Sequence, residues 1–137
     1  MNITAINNTS PNFGAKIVLA KVNSNAKQNL NLMDTLYKIN PNSKTSLAKT
    51  IENYAEKHGF KEVLLRLDAP KGNISPERKL VAQNDHCDIL TILCDGSETF
   101  MPFSETTSER KLSANILGTI QEAYNSKQKR LKEELSK

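Results

Sequence analysis

The sequence predicts an α+β domain, an antiparallel sheet of four or five strands with helices packed mainly on one face. Three observations carry that prediction. Residues 87–103, CDILTILCDGSETFMPF, hold the densest apolar run of the chain, split by Asp95-Gly96. Asp-Gly suits a tight hairpin because such turns need positive φ, which Gly takes without steric cost. Helical and strand periodicities also come in runs along the chain rather than in strict alternation, which favours α+β over α/β. A long amphipathic stretch then follows the hairpin. The expected order is β-α-α-β-β-β-β-α.

Residues 87–94 are expected to form the central strand and 98–103 its antiparallel partner. Side chains alternate across a sheet, so Leu90, Ile92 and Cys94 share one face and Ile89, Thr91 and Leu93 the other. Both faces are largely apolar, so both should be at least partly covered.

The 137 residues suit one domain, large enough to bury a core without disulfides or metal. With 37% apolar and 25% charged residues, the chain reads as globular. No apolar run approaches the ~20 residues of a membrane span. The opening, MNITAINNTSPNFG, lacks the basic and apolar regions of a secretory signal. A cytoplasmic location is therefore expected. As ends of one strand, Cys87 and Cys94 would lie about 23 Å apart at ~3.3 Å per residue. A disulfide needs Cα atoms within about 7 Å, so two free thiols are expected.

The net charge of +4 is unevenly spread, with +4 in residues 1–59, −3 in 60–106 and +3 in 107–137. The predicted sheet is thus acidic and the helices basic. Complementary layers and solvated faces account for this; a basic helical face for an anionic partner is the sharper reading.

Taken in order, residues 1–12 are Asn-, Thr- and Ser-rich and are expected to form a disordered leader. The pentapeptide NFGAK follows this opening. It resembles a leader near the start of many otherwise unrelated, uncharacterised bacterial proteins. The resemblance spans about the first 16 residues and implies no fold or activity. It leaves open whether Phe13-Gly14 is a processing mark, a docking tag or neither. The domain itself is expected over 13–126, with 127–137 a charged helix end.

Residues 17–20 should form a short strand flanked by Lys16 and Lys21, as at a sheet edge. Asn23 or Ser24 can cap a first helix, in which Ala26, Leu30, Met33 and Tyr37 repeat at helical spacing with Leu36 beside them. Asn40-Pro41-Asn42 ends it. Ser43 is the expected cap of a second helix, with Leu47, Ile51, Tyr54, Ala55 and His58 on one stripe and Gly59 as its stop. Residues 60–67 form the next strand, with Val63, Leu65 and Leu67 on one face. Pro70, Gly72 and Pro76 punctuate a loop, and 78–82 is a candidate short strand. Thr106 and Glu109 fit a capping box for the last helix. Its stripe is Leu112, Ile116, Leu117, Ile120, Ala123 and Tyr124. Gly118, inside it, is expected to permit close approach to the sheet. Beyond Tyr124 the stripe thins to Leu131 and Leu135, and the end should project into solvent or fray.

Chemistry-bearing patterns are few. Asp85-His86-Cys87-Asp88 crowds ligand-type residues together, but neighbouring strand residues point to opposite faces, and no second pair completes four zinc ligands. His86 should point away from Cys87, so neither thiol gains a base. Lys71-Gly72-Asn73 lacks the spacing of a phosphate loop, and the carboxylates Glu62, Asp68, Glu77 and Glu105 show no acid–base pairing. No cofactor is expected. The remaining functional feature is basic: Lys127, Lys129, Arg130 and Lys132. Lacking interleaved aromatics, these would grip only a phosphate backbone.

The leading expectation is a small non-enzymatic binding or adaptor module with a protein partner. A nucleic-acid-associated protein using those basic residues is the alternative, and an enzyme ranks third. Oligomeric state and strand order are not readable from the sequence.

Overall fold

A computed structural model of the chain describes residues 14–21, 26–69, 76 and 87–136. The expected leader over 1–12, the cap at Asn23 or Ser24, the strand over 78–82 and the ligand-type residues Asp85 and His86 lie outside the described residues. Among the described residues seven elements follow one another: β1 (Lys16–Lys21), α1 (Ala26–Tyr37), α2 (Leu47–Lys57), β2 (Glu62–Asp68), β3 (Asp88–Cys94), β4 (Ser97–Phe103) and α3 (Glu109–Leu135). The fold is α+β, as the sequence predicts.

The sheet order is β1-β2-β3-β4. β3 pairs antiparallel with both neighbours, Leu65 lying opposite Ile92 and Leu90 opposite Met101. The β3–β4 turn is the expected one, closing between Cys94 and Ser97. Asp95 (φ 46°) and Gly96 (φ 90°) are both left-handed, the signature of a type I′ hairpin. Pro102, which has no N–H to donate, sits in β4 at one end of this order.

The first pair departs from an all-antiparallel sheet. β1 runs parallel to β2, Lys16 beside Glu62 and Lys21 beside Leu67. The helices α1 and α2 are the cause. Parallel neighbours need a crossover long enough to return the chain to the same end of the sheet, and the two helices supply it.

Helix ends follow local chemistry, though not always at the expected residue. The cap of α2 is Ser46, whose Oγ accepts from the Lys49 N–H at 3.1 Å. Ser43, the expected cap, belongs instead to the turn before it, its N–H directed at Asn40 Oδ1. Likewise α3 is capped by Ser108, accepting from Lys111 N–H at 3.1 Å. Thr106, expected in that role, hydrogen-bonds Ser104 Oγ in the preceding turn. At the far end of α2, Gly59 adopts φ 85°. Phe60 N–H donates to Ala55 O and Gly59 N–H to Glu56 O, a complete Schellman motif.

The core lies between the sheet and the three helices. Val63, Leu65 and Leu67 of β2, Leu90, Ile92 and Cys94 of β3, and Met101 and Phe103 of β4 form one apolar floor. Leu112, Ile116, Ile120 and Ala123 of α3 and Leu47, Ala48, Ile51 and Ala55 of α2 pack onto it. Ile89 and Thr91, on the opposite face of β3, are also fully buried, so both faces of the central strand are covered. Gly118 does not touch the sheet: it is exposed, with nothing within 4 Å of where a Cβ would stand.

Candidate functional site

The first helix carries the most unusual surface of the described chain. Its expected stripe does not face the core. Leu32 and Leu36, four residues apart, are buried, and the parallel set Leu30, Met33 and Tyr37 turns outward. Leu30 is 62% exposed, Met33 43% and Tyr37 45%, and Ile39, just past the helix, is 61% exposed. Single exposed apolar residues are ordinary; a contiguous exposed row is not.

Met33, Asp34, Tyr37 and Lys38 line an open groove of about 630 Å³ along this row. Its frame is well tied. Thr35 Oγ1 donates to Asn31 O at 2.9 Å. After the helix, Asn40 Oδ1 accepts from Asn42 N–H at 2.8 Å, Asn40 N–H donates to Thr45 O at 2.9 Å, and Ile39 bridges to Ser46. Glu52 of α2 accepts from Ile17 N–H of β1 at 3.4 Å. Partial burial, and secondarily the Glu52 carboxylate, raise the Tyr37 pKa above its ordinary value. The groove is therefore mixed in character: two apolar walls, one acid, one base, and a phenol that keeps its proton.

The basic candidates have another setting. α3 continues as helix through Leu135 and does not fray after Tyr124. Lys127 is half-buried, its Nζ 5.4 Å from the centre of the Phe60 ring and beside Gly59 at the end of α2, where a cation favours the helix dipole. Arg130 pairs with Asp95 of the hairpin turn at 3.4 Å. Lys129 and Lys132 are exposed. Two of the four thus contact other elements of the fold, and two, Lys129 and Lys132, stand as exposed charges three residues apart on the helix.

Other concave places carry less chemistry. A polar pocket beside the start of α3 is lined by Cys87 and several hydroxyls, but these bond each other and the backbone: Ser104 N–H to Thr107 Oγ1 at 3.0 Å, Ser104 Oγ with Thr106 Oγ1 at 2.8 Å. His58 is held between Tyr54 and Tyr124, ring centres 4.2 and 4.9 Å away. Its Nδ1 lies 2.8 Å from Tyr54 O, a packing role. Asp68 is buried but paired to Arg66 Nε at 3.0 Å. Among the described residues no three metal-ligating side chains come together, both cysteines are free thiols, and no helix is long and apolar enough to cross a membrane.

The helical spacing of Leu30, Met33 and Tyr37 predicts a helix but not that this row faces solvent. The signal was present. A helix with apolar residues at 30, 32, 33, 36 and 37 is apolar over more of its circumference than one buried face requires. Comparison with known proteins finds no matching family model, no matching curated protein and no matching solved structure.

Proposed function

We propose that this protein is a non-enzymatic interaction module that binds a protein partner through the outer face of α1. One observation carries the reading: a row of apolar side chains at helical spacing stands in solvent on a helix whose neighbouring row, Leu32 and Leu36, is locked into the core. A face of this kind suits an amphipathic helix with i, i+3 and i+7 anchors. Three or four exposed apolar side chains on one helix suit a small, reversible contact rather than the ~20–30 residues a side of a stable complex. Asp34 and Lys38 at its margin supply orientation more than affinity.

The reading is tested by placing a photo-crosslinking amino acid at position 33 in the intact chain. Protein adducts are expected from position 33 and none from position 122, an exposed site on α3. Tyr37→Ser combined with Leu30→Lys should abolish the adducts while leaving the fold intact. Equal labelling from both positions would sink the proposal.

A further inference from the structure

The partner's nature follows from the charges around the groove. Asp34 and Lys38 are four residues apart and opposite in sign, and both line it. Neither makes an ion pair among the described residues. The next cation along the same side of the helix, Lys27, is engaged with Glu105 at 3.3 Å. The groove therefore offers one positive and one negative charge, both unsatisfied, beside two apolar anchors. A surface with that composition is complementary to itself.

We infer that the occupant of the α1 face is a second copy of this chain, the C-terminal ends of the two α1 helices meeting antiparallel about a two-fold axis beside residue 36. In a two-fold contact every interaction occurs twice. An axis at residue 36 sets Asp34 opposite Lys38 of the second copy, and Lys38 opposite its Asp34. Tyr37 then meets its own counterpart near the axis, and Met33 reaches the turn that presents Ile39. An axis nearer the middle of the apolar row would bring Asp34 onto Asp34, a repulsive contact. Charge thus selects the register, as flanking charges do in paired helices. The interface is neutral, so the chain's net charge of +4 does not accumulate within it.

This inference rests on the α1 face being the binding surface, and the experiment separates the two claims. Sedimentation equilibrium of the full chain is run from about 10 µM to 1 mM, the range in which a contact of this size associates. The wild type should move from monomer to dimer mass. Asp34→Lys alone and Lys38→Asp alone should each raise the dissociation constant at least about tenfold, by setting like charges in contact twice. The double variant D34K/K38D should return to within about threefold of wild type. All three changes are at exposed positions, and unchanged thermal midpoints verify that the variants are folded. A chain that stays monomeric at the highest concentration overturns the dimer, as does a double variant no better than the singles. Heterologous adducts from position 33 on a monomeric chain overturn the dimer alone. If position 33 also gives no adduct, the interaction surface itself falls.

Discussion

α1 and α3 are both amphipathic helices packed beside the same core, and they use their apolar residues in opposite ways. On α3, Leu112, Ile116, Ile120 and Ala123 recur at three- and four-residue spacing and are all buried. Beyond Ala123 the exposed face is polar until Leu131 and Leu135. On α1 two apolar rows lie side by side. The core takes the shorter, Leu32 and Leu36, and leaves Leu30, Met33 and Tyr37 outside. α3 covers the β3–β4 half of the sheet, whereas α1 packs chiefly against α2. A helix resting on another helix buries a narrow strip, and a helix lying on a sheet buries a wide one. Periodicity identifies a helix; the width of the surface opposite it decides how many apolar rows are covered.

The largest effects should sharpen this contrast. Ile120→Ala and Leu36→Ala each delete a fully buried side chain and should cost about 2–5 kcal/mol in denaturant unfolding. Met33→Ala should stay within about 0.5 kcal/mol, since it touches the surface row. If Met33→Ala cost as much as Leu36→Ala, the assignment of the two rows would be reversed.

Gly118 offers an intermediate effect. It lies mid-helix on α3, exposed, with open space where a methyl would go. Gly118→Ala should therefore stabilise by about 0.5–1 kcal/mol through helix propensity and a less flexible unfolded chain. A loss of stability would mean that this side of α3 is closely covered, making the two helices more alike than described.

A further contrast concerns ionisation. Burial beneath the helices, and secondarily the neighbouring Asp95 carboxylate, push the Cys94 thiol from its ordinary 9.0 up to about 11. The folded state thus holds this proton more tightly than the unfolded one. The associated stability is fully present below pH 9.0 and is lost as pH rises toward about 11. Urea midpoints measured across that window should fall more steeply for wild type than for Cys94→Ala. The Tyr37 pKa is also raised, so part of the decline should remain in the variant. Identical slopes would place the thiol in solvent.

Much of this architecture was legible in the chain. Asp95-Gly96, alternation through Val63, Leu65 and Leu67, Gly59 and the α3 stripe are local signals, each fixed by backbone stereochemistry or by one buried face. Three features were not. The parallel β1–β2 pair depends on where the helical crossover delivers the chain. The caps at Ser46 and Ser108 were displaced because Ser43 and Thr106 had nearer partners in their own turns. The α1 surface was visible as an excess of apolar residues, but which row faced outward depended on α2.

The parallel arrangement of β1 also bears on the order in which the molecule can assemble. The β3–β4 hairpin closes over two residues and can form within microseconds. β1 must find β2 across about a third of the chain, since Lys16 pairs with Glu62. The entropy of closing so long a loop is recovered only once α1 and α2 have shortened it. β1 is therefore expected to dock last, onto a sheet and helix pair already in place. A ribosome would have released the whole of that platform well after making the strand, so residues 16–21 wait as a tethered, β-prone segment during synthesis. The Glu52 carboxylate that accepts the Ile17 N–H is then more than a stabilising contact. It is the latch that closes only after α2 exists, making the first strand among the described residues the last one secured.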